Sequence, residues 1–153
     1  KELNYSYDSS KISAGFHPLY GSINIENYKK ISDNVYSDET FTEFELPTQR
    51  FLSKNVPISG GGYLRILPWF LFRYLLKKYL KENDTYFFFI HPFELTNKNV
   101  SLSKDSSITS RLRFSIGRSK GALRFRKLIK ILKDEGFEFT TFSDFNKEIN
   151  NLN

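Results

Sequence analysis

Cysteine and methionine are both absent from the 153-residue chain, and histidine occurs only twice, as His17 and His91. Without cysteine the chain can form no disulfide and offer no thiolate to a metal, which excludes disulfide-stabilised folds and cysteine-based zinc sites. An apolar run of about 18 residues, the minimum for a membrane-spanning helix, is also missing. The N-terminal segment lacks the apolar stretch of a signal peptide.

The composition is that of one globular domain with a basic balance. Hydrophobic residues make up 39% and aromatic residues 17% of the chain, which is enough for a packed core. The formal charge of +6 would suit a polyanionic partner. However, most of the excess is lysine on the polar faces of predicted helices, and the aromatic residues lie in core-like runs. Nucleic acid is therefore not predicted as a partner.

The start of the chain favours a piece of a longer protein. Position 1 is Lys1, and the alternating segment at 3–7, typical of the end of a strand, follows almost at once. The alternative is a small complete protein with a trimmed end.

Two helices are predicted with clear boundaries. Pro68 suits a first helical position, and the apolar pattern after it continues to about Glu82. The second helix covers 121–136, where one apolar stripe alternates with basic residues and Gly136 ends the pattern. A last short helix is predicted near the C-terminus, with Ser143 or Asp144 as its cap.

The strand predictions are less uniform. Residues 40–46 predict a short strand, 86–90 a strand buried on both faces, and 137–142 another strand. Residues 49–58 fit either a short strand or an extended loop. The polar stretch at 15–40 predicts a long irregular loop. This order of elements favours an α/β fold with parallel pairing, yet it has too few strands for an eight-fold barrel, which needs about 250 residues.

Several short motifs follow one another along the chain. They are YDSS at 7–10, HPLYG at 17–21, ELP at 45–47, SGGGYLRILPWF at 59–70, FFIHPFEL at 88–95 and FTTFSDF at 139–145. In this order they resemble the C-terminal half of bacterial polysaccharide deacetylases of the NodB-like superfamily. The glycine-rich block and the His-Pro block together carry the resemblance, which covers nearly the whole chain. Residues 1–153 are therefore interpreted as the C-terminal portion of a single deacetylase domain.

The resemblance implies a partial, distorted (β/α) barrel and the removal of N-acetyl groups from a glycan. In that family a divalent metal such as zinc, held by one Asp and two His, activates water, and a second Asp is the base. A late histidine at a strand end protonates the leaving amine. His91 matches this histidine in its motif, and Asp8 matches a residue that would orient a catalytic histidine or face the substrate. Without the resemblance, His91 would be a polar cap after a core strand and Asp8 a turn former.

The resemblance also implies a substrate groove. Gly60, Gly61 and Gly62 would let the backbone approach the glycan, Tyr63 would stack on a sugar ring, and Arg65 would bind an anionic substituent. A tight turn and packing at the helix entrance are the structural alternatives for these residues. His17 is either a sugar contact or a loop residue, and Glu94 is predicted to be a structural partner.

The sequence departs from the family in one respect. The Asp-Asp pair and the His-x-x-x-His motif lie upstream of the region that matches, so no metal ligands are expected in this chain. Its expected partners are an N-acetylated glycan and the upstream half of the same protein, in the bacterial cytoplasm or cell envelope. The competing hypothesis is a catalytically inactive glycan-binding module of the same fold.

Overall fold

The computed structural model describes residues 5–13, 25, 27–38, 40–96 and 116–151. His17 therefore lies outside the described residues. The strands are β1 (Tyr7–Asp8), β2 (Lys29–Ser32), β3 (Val35–Ser37), β4 (Thr42–Phe44), β5 (Thr48–Phe51) and β6 (Lys54–Pro57). The helices are α1 (Gly61–Ile66), α2 (Trp69–Glu82), a 3-10 turn (Pro92–Glu94), α3 (Arg118–Asp134) and α4 (Phe142–Asn151).

The strands form a mixed sheet and a separate hairpin. The four-stranded sheet has the order β1-β4-β3-β2, and only β1 and β4 pair in parallel. The pairs β2–β3, β3–β4 and β5–β6 are antiparallel. The prediction of an α/β class is confirmed, but the described strands form no closed barrel, and parallel pairing is not their dominant arrangement.

The irregular loop predicted over 15–40 is wrong in its second half, where β2 and β3 form a hairpin over 29–37. Its turn contains Asn34 at φ 58°, a left-handed conformation that asparagine tolerates better than most residues. Residues 49–58, predicted as one short strand or an extended loop, lie largely in the two strands of the β5–β6 hairpin, with Leu52 at φ 56° in its turn. Polar side chains on both hairpins conceal the alternation that identifies a strand.

The two long helices are confirmed. α2 begins after Pro68 and ends at Glu82, and α3 covers most of the predicted 121–136. The cap of α4 is Thr141, two residues before Ser143 and three before Asp144, because the Thr141 hydroxyl accepts a hydrogen bond from the Asp144 N–H at 3.1 Å. None of the helices in the described ranges is long and apolar enough to cross a membrane.

Residues 86–90 do not belong to a strand, which corrects the prediction. Their side chains still alternate between two hydrophobic clusters: Tyr86 and Phe88 pack against α2 and α3, whereas Phe87 packs against Phe44. The carbonyls of Phe87 and Phe89 accept hydrogen bonds from residues 59 and 61. The segment has the side-chain alternation of a strand but no backbone ladder with a neighbour in the described part.

The strand predicted over 137–142 is also wrong. Residues 137–141 lie outside helix and strand, and Phe142 already belongs to α4. Phe142 packs on Phe44 and Phe87, with ring centroids 5.2 and 5.4 Å apart. The aromatic alternation that suggested a strand thus reflects two rings that pack against the core, Phe137 from the segment after α3 and Phe142 from the first turn of α4.

Candidate functional site

His91 lies directly after the 86–90 segment and directly before the 3-10 turn. The residue is exposed to solvent. Its imidazole stacks on the ring of Phe93, with the ring centroids 5.4 Å apart and the ring planes at 9° to each other. The Phe89 ring meets it edge-on at 5.8 Å. The two phenyl rings restrict the imidazole, while its exposure lets a ligand reach it. An imidazole placed in this way can donate or accept a proton.

In the glycine-rich block, Gly61 and Gly62 begin α1 and Gly60 lies directly before it. Gly60 precedes the helix at φ 87°, a conformation that favours glycine. The Gly61 N–H donates to the Phe89 carbonyl at 3.0 Å. A Cβ on Gly61 would lie 2.0 Å from Glu94 Oε2, whereas a Cβ on Gly62 would meet nothing within 4 Å. Gly60 and Gly61 are therefore required by close packing, which is the structural alternative given for them.

Arg65 and Glu94 form an ion pair that is almost fully buried. Arg65 Nη2 lies 3.0 Å from Glu94 Oε1, and the two side chains are 4% and 3% exposed. Arg65 Nε donates to the same oxygen at 3.3 Å, and Nη1 donates to the Ile116 carbonyl at 2.8 Å. The guanidinium is thus occupied within the protein, and this geometry favours the packing alternative for Arg65 over an anion-binding role. The structural role predicted for Glu94 is confirmed.

Helix α3 closes the other side of this pair. Arg124 Nη1 donates to the carbonyls of Leu64, Arg65 and Leu67 at 2.9, 2.7 and 2.9 Å, which are the free carbonyls at the end of α1. A Cβ on Gly121 would lie 2.2 Å from the Glu94 carbonyl oxygen. The His-Pro block, the glycine-rich block and the start of α3 therefore form one packed unit around Glu94.

Gly62 and Tyr63 are half-buried on α1. The open space beside Gly62 is compatible with the approach of a ligand to the backbone, and Tyr63 is partly accessible. No described contact tests their predicted interaction with sugar, so it stays a prediction.

Asp8 lies at the end of β1, and its exposed carboxylate accepts a hydrogen bond from the Ser9 N–H at 2.7 Å. It pairs in register with Glu43 of β4. Among the described residues, no hydrogen bond or ring contact joins Asp8 to His91. A role of Asp8 in orienting His91 therefore has no direct contact to support it.

A second buried polar cluster surrounds Glu43, and the sequence did not indicate it. The Lys11 N–H donates to Glu43 Oε1 at 2.8 Å, and Lys11 Nζ pairs with Glu45 at 2.8 Å. Burial raises the pKa of Glu43 above its ordinary 4.5, and the nearby charge of Asp8 raises it further. Glu43 and Glu45 are two positions apart, so on a strand they share one face, which is also the pattern of a side turned to water; no local signal marks them as buried.

The Glu43→Gln variant is expected to gain stability over the wild type at pH 7, and this gain should be smaller at lower pH. The pKa of Glu43 is higher in the folded protein than in the unfolded chain, so folding takes up a proton at pH values between the two. The stability of the wild type therefore falls as the pH rises through the folded-state pKa. Glutamine keeps the oxygen that accepts from Lys11 but has no charge to bury. Thermal unfolding of both proteins at pH 7 and near pH 4.5 tests this. A Glu43→Gln advantage that grows on acidification would contradict it.

The described residues contain no group of three or more His, Cys, Asp or Glu side chains that could hold a metal ion. The imidazole of His91 is also flanked by the phenyl rings of Phe89 and Phe93. The described part of the chain therefore does not fit the Asp-His-His metal set that the resemblance implies for the complete enzyme.

Comparison with known families places the chain. A family model described as Domain of unknown function (DUF3473) matches residues 9–147. The chain belongs to this family. Neither curated proteins nor solved structures gave a significant match. The match includes His91, the glycine-rich block and the Arg65–Glu94 pair, so the packed unit described above lies wholly within the domain that defines the family.

Proposed function

We propose that the complete protein is a metal-dependent carbohydrate N-deacetylase, in which this chain supplies the general acid His91 and part of the substrate groove. The observation that carries the proposal is the union of the two motif blocks. The glycine-rich block and the His-Pro block resemble deacetylases in sequence, and they pack into one unit that presents an exposed, ring-bounded imidazole.

The chemistry of amide hydrolysis explains why an acid is needed at this point. When the tetrahedral intermediate collapses, the sugar nitrogen must leave as a neutral amine, so a proton has to reach it as the carbon–nitrogen bond breaks. Histidine suits this role because its ordinary pKa of about 6.5 lies near working pH. His91 would donate this proton from its exposed edge, while Phe89 and Phe93 hold the ring in place.

The metal belongs to another part of the proposed enzyme. The resemblance implies a divalent ion such as zinc, which would polarise the acetyl carbonyl and activate water. Because the described residues do not fit a ligand set for it, we assign its Asp and His ligands, and the aspartate base, to the upstream half. Zinc binding is therefore expected of the complete protein and not of this chain.

The 86–90 segment supports the proposed partial barrel. One edge of it is bound through Phe87 and Phe89, but within the described residues the backbone N–H groups of 86–90 donate to no other backbone group. A cleft of about 440 Å³ opens between this segment and residues 137–142, and Phe139 is 52% exposed beside it. Apolar surface beside an unpaired extended segment suits a neighbouring strand. We propose that the upstream half covers this cleft and completes the distorted (β/α) barrel.

A glycan-binding module without activity is the second candidate. The open space beside Gly62 and the partly accessible Tyr63 support it, because both could contact a sugar without any metal.

The complete protein distinguishes the two candidates. The assay measures acetate release from N-acetylated oligosaccharides with zinc saturating, after removal of metal by a chelator, and after its return. The deacetylase proposal expects release that the chelator abolishes and metal restores. Glycan binding by calorimetry without release would establish the binding module instead. Neither binding nor release across a panel of N-acetylated glycans would overturn both candidates.

A further inference from the structure

We propose that Glu94, held by Arg65, is a positioning residue for His91. This inference rests on the proposed role of His91 as the general acid. Glu94 does not face the reacting atoms; it acts through the backbone of His91, three residues before it.

Glu94 binds the backbone of His91 at both its N–H and its carbonyl. Its Oε2 accepts a hydrogen bond from the His91 N–H at 3.0 Å, and its own N–H donates to the His91 carbonyl at 2.9 Å. The first of these bonds depends on the direction of the carboxylate. That direction is set by Arg65, whose Nε and Nη2 donate to Oε1 at 3.3 and 3.0 Å. The two carboxylate oxygens are thus divided between Arg65 and His91.

The surroundings of the pair leave it little freedom to move. Gly61 packs against the carboxylate from α1 and Gly121 packs against the Glu94 carbonyl from α3, each at a distance that a Cβ would not permit. Arg124 fixes the end of α1 from which Arg65 projects. Elements distant in sequence therefore converge on Glu94, with α1 against its carboxylate and α3 against its backbone carbonyl.

Stability alone gives a weak reason for such an arrangement. A buried ion pair often contributes no more than a well-packed apolar pair of the same volume, because both charges lose their hydration. What the ion pair does supply is a fixed direction for the carboxylate, and through it for the His91 backbone. A misplacement of about 1 Å in a reacting group can cost about 10²-fold in rate, so an acid benefits from such fixation.

A double-mutant cycle in the complete protein tests the inference. The four proteins are wild type, Glu94→Gln, His91→Ala and the double variant. Glutamine has nearly the size of glutamate, but one of its two polar ends donates, so it cannot accept from both Arg65 and His91. Glu148→Gln, on the exposed surface of α4, is the matched control. Steady-state kinetics are measured on an N-acetylated oligosaccharide with zinc saturating, together with thermal unfolding.

If Glu94 acts through His91, Glu94→Gln lowers kcat by about 10-fold or more with KM within about threefold, and causes no further loss in the His91→Ala background. Equal losses in both backgrounds would show a general structural effect and overturn the inference alone. No loss from Glu94→Gln in wild type would overturn it as well. If His91→Ala itself leaves turnover unchanged, the acid role fails, and the inference fails with it.

A second variant keeps the cycle decisive if Glu94→Gln does not fold. Arg65→Met combined with Glu94→Gln leaves no unpaired buried charge and keeps an oxygen that can accept from the His91 N–H. Because Arg65 no longer directs that oxygen, kcat is still expected to fall in wild type and not in the His91→Ala background. Wild-type kcat in this variant, or equal losses in both backgrounds, would overturn the inference.

Discussion

Replacement of His91 by alanine is expected to lower the turnover of the complete deacetylase by about 10²–10⁴-fold, the usual contribution of a positioned acid. The loss should appear in kcat, because proton transfer to the leaving nitrogen belongs to the transition state. The substrate KM should change much less. The exposed imidazole contacts two phenyl rings and is not part of the buried ion pair, so its removal leaves the packing around Arg65 and Glu94 in place.

The other histidine of the chain provides the matched control. His17→Ala is expected to affect KM if His17 contacts sugar and to leave kcat near wild type, and Asp8→Asn should have a smaller effect than His91→Ala. The measurement is steady-state acetate release with metal saturating. Turnover of His91→Ala within about threefold of wild type would show that the acid role is wrong and that His91 only caps the preceding segment.

Local patterns in the sequence predicted the helices well. α2 and α3 each carry an apolar stripe at helical spacing, and their ends are marked by Pro68 and Gly136. Because these signals lie within one helix, no distant contact is needed to interpret them.

The strands were predicted less well because their identity depends on partners. Residues 86–90 have five apolar side chains in a row, and they pack as a strand would, but a strand also requires a backbone ladder that no short window of sequence contains. The β2–β3 hairpin was missed because its strands contain lysines and serines and few apolar residues, so the sequence shows no alternation that would indicate which side faces the core.

The candidate site was predicted in its parts and not in its assembly. The glycine-rich and His-Pro blocks were recognised separately, with Tyr63 and Arg65 as possible substrate contacts, His91 as the acid and Glu94 as a structural partner. Arg65 and Glu94 are 29 residues apart, and the two Arg124 contacts nearest to them span 59 and 60 residues. Such pairings arise from tertiary packing alone. The only local sign was the spacing of His91 and Glu94, which suits a carboxylate that returns to the N–H three residues before it.

Gly61→Ala is expected to destabilise the protein by about 3 kcal/mol, within the range for overpacking and for disruption of a buried ion pair. The new Cβ would lie 2.0 Å from Glu94 Oε2 and 2.5 Å from its Cδ, so the carboxylate would have to leave its position. A flexible carboxylate on the surface would move at little cost. Here its departure would leave the Arg65 guanidinium buried without its counter-charge.

Gly62→Ala is the matched control, because Gly62 is the next residue of the same helix and a Cβ there meets nothing within 4 Å. Alanine is the better helix former, so this variant should be neutral or more stable by up to about 0.5–1 kcal/mol. Thermal unfolding should therefore shift by about 6–12 °C downward for Gly61→Ala and not for Gly62→Ala.

The effect of Gly61→Ala should also depend on Glu94. In a Glu94→Ala background the obstructing carboxylate is absent, so Gly61→Ala should cost much less than in wild type, a coupling that distant sites do not show. Equal melting temperatures for Gly61→Ala and Gly62→Ala would contradict the close packing of α1 against the His-Pro block. A large Gly61→Ala effect that persists without Glu94 would place its cause in the backbone of α1, and the carboxylate would then not be what requires a glycine at this position.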